Sequence, residues 1–185
     1  MVYRGTRPDP MGGADRRSRQ WGVSTTLRYR HVASPIGELL LVSEGDHLVG
    51  LYVAGHGKAR PIEPSWAEAG AGDSVLHRAA QEVGEYFAGE RRSFDVPVRL
   101  GGSAFQASVW RALVDIPFGE TISYGELARR VGRPKAVRAA GSANGRNPVS
   151  LIVPCHRVIA SDGTLGGYGW GLDRKRWLLA HEQSW

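Results

Sequence analysis

Apolar residues switch from strand-like alternation to helical recurrence at Gly101-Gly102, so the chain cannot be all sheet or all helix. Before the break, LRYRHV and ELLLVS flank a Pro35-Ile36-Gly37 turn, and HLVGLYV follows a Gly45-Asp46 turn. That pattern predicts two successive hairpins. Residues 54–72 are rich in Pro, Gly, Ala and Glu and read as a loop. Val75, Leu76, Ala79, Val83, Tyr86 and Phe87 then recur at helical spacing, with Asp73 or Ser74 as the cap and Gly89 as the stop. In SFDVPVRL the apolar residues Phe94, Val96, Val98 and Leu100 alternate, which predicts a half-buried strand.

Beyond the break, Ser103 and Gln106 have capping-box spacing ahead of a helix with Phe105, Val109, Trp110 and Leu113 on one face. Ile116-Pro117-Phe118-Gly119 ends it. Ser123 and Glu126 repeat the capping-box spacing for a helix reaching Val131. Gly132-Arg133-Pro134 is a tight link to another helix, with Pro134 near its first position and Lys135 and Arg138 along it. That helix closes near Asn144-Gly145, Asn147-Pro148 starts a loop, and a basic helix surrounds Asp173 to Ala180. The expected organisation is a flexible extension over 1–25, an α+β unit over 26–100 and a mostly helical unit over 101–185.

A single cysteine permits neither an internal disulfide nor a multi-thiolate zinc site, so the apolar core must hold this fold together. No metal is expected. No segment approaches the roughly 20 apolar residues of a membrane span, and the N-terminus has no apolar signal core, so a cytoplasmic protein without membrane contact is expected. Residues 1–100 carry 13 Lys and Arg against 12 Asp and Glu, whereas 101–185 carry 11 against 6. A sequence pI near 9.9 with the excess in one half suits a polyanion such as nucleic acid, or equally an arginine-rich solvated surface. Two helices joined by a tight turn, the second basic, suit either a nucleic-acid reader or a plain bundle.

Ser150 to Val158 is the chemically loaded stretch. Leu151-Ile152-Val153 reads as a buried extended run that Pro154 stiffens, delivering Cys155, His156 and Arg157 to a pocket wall. A lone cytosolic cysteine is commonly an inert core residue, and spacing leaves that alternative open. His156 is placed to take the thiol proton if a third group orients its ring, and Glu182 is the candidate orienter, although a late Glu is often only solvated. A free thiol of pKa about 8.5 is roughly 3% ionised at pH 7, so full ionisation is worth only about 30-fold.

PCHRV at 154–158 strongly resembles the active-site signature of the O6-alkylguanine-DNA alkyltransferases. FQASVW at 105–110, IPFGETISYGELA at 116–128, RPKAVRAAGSANGRNP at 133–148, GYG at 167–169 and RKRWLLAHE at 174–182 match that family in order. The resemblance implies an α+β fold: an N-terminal ribonuclease-H-like unit plus a winged-helix-like C-terminal domain with a helix-turn-helix. It also implies duplex DNA containing O6-alkylguanine as partner and no cofactor. The expected reaction is irreversible transfer of an alkyl group from guanine O6, and from thymine O4, to Cys155, consuming one protein per event.

By the same resemblance, Arg138 fills the stack vacated by a flipped base, Tyr124 rotates the nucleotide, and the helix-turn-helix lies in the minor groove. Ser123, Lys135, Ala136, Ala139 and Asn144 complete the expected DNA-contacting set. Asn147 is an internal hydrogen-bond link, and Val153, Val158, Tyr168 and Gly169 surround the base. Trp170 departs from the family's glycine; it either walls the pocket against bulky alkyl groups or points to solvent, and solvent is the expectation. A phenol such as Tyr124 that assists the leaving base contributes about 10² to 10⁴ if it acts as an acid. The rival reading is a module that binds alkylated bases and flags them without transfer, but such proteins lack the cysteine. A monomer is expected in solution, with cooperative loading on DNA left open.

Overall fold

The computed structural model describes residues 26–56, 61–70 and 72–184, and the expected extension over 1–25 lies outside them. Two hairpins form as the turns dictate: β1 (Arg28–Val32) pairs antiparallel with β2 (Leu39–Glu44), and β2 with β3 (His47–Val53). A bulge between Val42 and Ser43 shifts the register within the second pair. Leu39, Leu41, Leu48, Leu51 and Val53 enter the main core together with Leu76, Ala79, Val83 and Tyr86 of α1 (Ser74–Ala88). Asp73 caps that helix by accepting from the Leu76 N–H, and Gly89 closes it in the left-handed conformation at φ 84°.

Two expectations change in this half. The stretch read as a loop over 54–72 contains β4 (Ala67–Glu68), which pairs parallel with the start of β1 and completes a sheet ordered β3-β2-β1-β4. Two residues are too few to show alternation, and Ala and Glu are weak strand formers. Conversely, SFDVPVRL keeps its alternating burial but forms no ladder; only Val98 bridges, to Leu48. The Glu82 carboxylate takes the N–H groups of Asp95 and Val96 at 2.8 and 3.1 Å, and Pro97 has none to give.

The second half is helical. Ser103 and Gln106 make a full reciprocal capping box on α2 (Ala104–Val114), whose Val109, Trp110, Ala112 and Leu113 are buried. After the short β5 (Ile122–Ser123), Ser123 caps α3 (Tyr124–Arg130) by accepting from the Glu126 N–H. The box there is only half made, because the Glu126 carboxylate pairs with Arg129 and Arg130. α4 (Val137–Gly145) starts later than expected: Arg133 to Ala136 close a turn through a 2.8 Å bond, Pro134 lies inside it, and Lys135 sits in the turn rather than on the helix. Proline suits the second position of such a turn as well as a helix start.

A 3-10 turn (Cys155–Arg157), β6 (Val158–Ile159) beside β5, and α5 (Leu172–Gln183) follow. The halves are bonded directly: Leu51 N–H donates to the Pro148 carbonyl at 2.9 Å, and Arg174 Nε to the Ile36 carbonyl at 2.7 Å. Among the described residues no helix is long and apolar enough to cross a membrane.

Candidate active site

Between α4 and the 3-10 turn the backbone departs from the expected extended run. Leu151 and Ile152 form a tight turn, with Leu151 at φ 77°, closed by a 2.9 Å bond from Val153 N–H to the Val149 carbonyl. A left-handed leucine costs on the order of 1–2 kcal/mol, and two features offset it. The Leu151 side chain is 1% exposed in the core, and Asn147 spans the turn. Asn147 Nδ2 donates to the Val153 carbonyl at 2.7 Å while its Oδ1 accepts from Val149 N–H at 3.0 Å. Asn144, expected among DNA contacts, is buried and donates to the Cys155 carbonyl at 3.3 Å. The turn presents Cys155 because two asparagines hold it.

Cys155 lies on the wall of a cavity of about 560 Å³ that Tyr124, Asn147, Ser150, Tyr168, Gly169 and Trp170 also line. Its sulfur is 3.5 Å from Ser150 Oγ. Burial pushes the thiol pKa up, with hydrogen bonds from Ser150 and Asn147 opposing. At rest the group is a thiol and needs a base. Tyr124, at the first position of α3, donates to the Gly167 carbonyl at 3.3 Å, and Gly166 (φ 64°) must be glycine because a Cβ there would lie 2.9 Å from the Tyr124 ring. Burial, and the charge that Cys155 carries once ionised, raise the Tyr124 pKa, so it is a neutral hydrogen-bond donor. Trp170, expected in solvent, is 3% exposed and packs edge-on to Tyr168 at 5.7 Å. Its indole finds the apolar wall that Tyr168 and the cavity provide.

Behind the cysteine, His156 Nε2 is 2.7 Å from Glu182 Oε1, and both side chains are fully buried. Arg157 binds both oxygens of the same carboxylate, Nε to Oε2 at 2.8 Å and Nη2 to Oε1 at 3.0 Å. Gly119 N–H donates to Oε2 at 3.1 Å. Burial alone would raise the Glu182 pKa, but the bonds and charges of His156 and Arg157 outweigh it and hold the carboxyl below the ordinary range. An ionised Glu182 only accepts, so the neutral imidazole carries its proton on Nε2 and leaves a lone pair on Nδ1, which has no protein partner. Burial is also the largest influence on His156 and keeps its pKa below the usual value.

Of the residues expected to contact DNA, Arg138 and Ala139 of α4 and Lys135 of the preceding turn are exposed, and Ala136 is half-buried. Ser123 is occupied as the α3 cap. The Val153 carbonyl accepts from Cys155 N–H at 2.8 Å and Val158 N–H donates to the Cys155 carbonyl, with both valine side chains buried.

Residues 104–184 match the family described as the 6-O-methylguanine DNA methyltransferase DNA binding domain, and residues 27–100 match its ribonuclease-like domain. A methylated-DNA–protein-cysteine methyltransferase from Mycolicibacterium paratuberculosis is 49% identical over 157 residues, covering 85% of this chain and 93% of that protein. The chain belongs to the methylated-DNA–protein-cysteine methyltransferases. A Methanosarcina acetivorans methyltransferase of that name is 46% identical over 85% of this chain and 99% of its own length. The crystal structure of Mycobacterium tuberculosis OGT in complex with DNA is similar at TM-score 0.77 and 46% identity, covering 85% of this chain and 93% of that one.

The alkyltransferase site contains groups that sequence reasoning missed. Arg157, legible in sequence only as a neighbour of His156 at the pocket wall, is the bidentate partner of Glu182. Lys175 is buried and donates through Nζ to the carbonyls of Val158, Leu165 and Gly167, tying α5 to the pocket loop. Burial lowers its pKa to about 8, with the charge of an ionised Cys155 opposing. Lys175, Leu178 and Glu182 share one buried face of this methyltransferase helix at i, i+3 and i+7, but two of the three are charged, so apolar periodicity gives no signal for them.

Proposed function

We propose that this protein repairs DNA by moving an alkyl group from O6 of guanine, or O4 of thymine, to the Cys155 sulfur, once per molecule. The Cys155 thiol on the cavity wall, next in sequence to an imidazole whose Nε2 is bonded to Glu182 and whose Nδ1 is free to accept, carries this reading. His156 takes the thiol proton through Nδ1, directly or through one water. The thiolate attacks the alkyl carbon in line, an S–C bond forms as the C–O bond breaks, and the electron pair leaves with the base. Tyr124 stabilises the departing base by donating a hydrogen bond rather than giving up its proton, in keeping with its raised pKa. The thioether offers no leaving group, so the event is irreversible.

In-line attack needs the base out of the stack, at a cost of a few kcal/mol. Exposed Arg138 on α4 fills the gap, and Ala139 with half-buried Ala136 lets the helix approach the duplex closely. Lys135 adds a phosphate contact from the turn. In this reading residues 26–100 brace the site, residues 101–185 carry DNA binding and transfer, and one monomer serves one lesion. Trp170 narrows the cavity toward small groups such as methyl.

Incubation with a duplex bearing O6-methylguanine is expected to add one methyl group to Cys155, stopping at one equivalent, as intact-protein mass and peptide mapping will read. Turnover, or tight binding by unmodified protein, would replace repair with hydrolysis or damage flagging. Arg138→Ala should slow transfer from duplexes about 10- to 100-fold, the worth of roughly 1.4–2.8 kcal/mol of lost gap filling, while transfer from free O6-methylguanine changes less than about twofold. Equal losses on both substrates would remove Arg138 from this role.

A further inference from the structure

We propose that Tyr86, on α1 of the N-terminal half, is a positioning residue for alkyl transfer whose hydroxyl shares the Glu182 oxygen that holds His156. This rests on the reading in which His156 takes the Cys155 proton. Tyr86 is 0% exposed, and its hydroxyl donates to Glu182 Oε1 at 2.9 Å across 96 residues of sequence. The same oxygen accepts from His156 Nε2 at 2.7 Å and from Arg157 Nη2 at 3.0 Å. Phe87, Phe94, Phe118 and His181 box in the Tyr86 ring at centroid separations of 5.2, 5.6, 6.1 and 5.2 Å, which fixes where the hydroxyl points. A phenylalanine would fill that box equally well. The hydroxyl therefore serves the carboxylate rather than the packing.

Each donor on Oε1 draws off part of the carboxylate charge. Without Tyr86 more of that charge falls on the His156 Nε2 proton, and the imidazole becomes easier to protonate. A protonated imidazole cannot take the thiol proton, so the hydroxyl keeps His156 in its working, neutral form at lower pH. Burial and the Glu182 charge raise the Tyr86 pKa, which leaves the phenol a donor throughout the working range. The other charged or titratable groups around the pair are Arg157 of the 3-10 turn, Lys175 of α5 and Cys155, with the Tyr168 ring 6.5 Å from the imidazole. On the far side, His181 Nε2 meets the Tyr86 carbonyl at 2.8 Å, and the Arg92 guanidinium lies 5.8 Å from the Phe118 ring. Tyr86→Phe changes none of these formal charges.

The test is the single-turnover rate of methyl transfer from an O6-methylguanine duplex to the full chain, measured across roughly pH 5 to 9, where a histidine titrates. In Tyr86→Phe the acidic limb should move up by about half a unit to one unit, a loss of about 3- to 10-fold on that limb that closes at alkaline pH. 3-Fluorotyrosine at position 86, a more acidic and stronger donor, should move the limb the other way and keeps the test open even if the phenylalanine variant folds poorly. Val83→Ala, which loosens the same helix one turn away and leaves the rings around Tyr86 intact, should lower the melting temperature and leave the limb in place. A Tyr86→Phe profile that tracks wild type, or a loss uniform in pH, overturns the role of Tyr86; so does an equal shift in Val83→Ala. Wild-type protein that acquires no methyl group would instead remove the repair reading beneath it.

Discussion

Cys155→Ser protein is expected to gain no alkyl group from an O6-methylguanine duplex at any excess of DNA, while binding that duplex within a few-fold of wild type. The swap is nearly isosteric, and the 4% exposed side chain sits on a turn held by Asn147 and Asn144 backbone bonds that do not involve the sulfur. The pocket should therefore survive. The chemistry should not. Burial already pushes the thiol pKa up, and a serine hydroxyl starts several units higher, beyond what an imidazole of lowered pKa can deprotonate. Intact mass after long incubation reads transfer, and a gel shift reads binding. Alkylation elsewhere on the variant would show that Cys155 is not the acceptor.

Glu182→Gln is expected to destabilise the protein by about 3–5 kcal/mol near neutral pH, because it strips the countercharge from a buried guanidinium. For a chain of this size that is a melting temperature lower by roughly 6–20 °C. Arg157 Nε and Nη2, His156 Nε2, Tyr86 Oη and Gly119 N–H all donate to this carboxylate, and glutamine offers one accepting oxygen in place of two. The sign with pH follows from the folded pKa lying below the unfolded value. Wild-type stability from this group is fully present above the unfolded pKa, about 4.3, and drains away as pH falls toward the folded value. The gap between wild type and variant should therefore narrow steadily below about pH 4, as denaturant titrations at several pH values will measure. Transfer should slow by about 10² to 10⁴ at neutral pH, the usual worth of a positioned base. A variant as stable as wild type at pH 7 would mean that Arg157 finds its countercharge elsewhere.

Elements whose signals lie within three or four residues were legible from the chain alone. The hairpin turns, the Asp73 cap, the Ser103–Gln106 box and the Gly89 stop all form from neighbours in sequence. The misread segments are those where a distant group claimed the backbone. Glu82 takes the N–H groups that would have made 93–100 a ladder strand, and β1 recruits Ala67–Glu68 out of an apparent loop. Pro134 misled because its fixed φ suits both a helix start and a turn. In the site, Tyr124, Asn147, Cys155, Tyr168, Gly169 and Trp170 were all named from sequence and do line one cavity. Asn144 turned inward, and Trp170 took the wall rather than the solvent.

The order of motifs from FQASVW to RKRWLLAHE, with one cysteine framed by Pro154 and His156, was enough to determine the family and the thiol at its centre. What the order of residues could not decide is how that thiol is handled. Five donors from three separate segments converge on Glu182, Lys175 is buried against three carbonyls, and Leu151 is held left-handed by an asparagine four residues earlier. Local rules leave a periodicity or a cap that can be read along the chain. A buried charge is set by whichever distant donors the packed core brings to it, and only the tertiary structure chooses those.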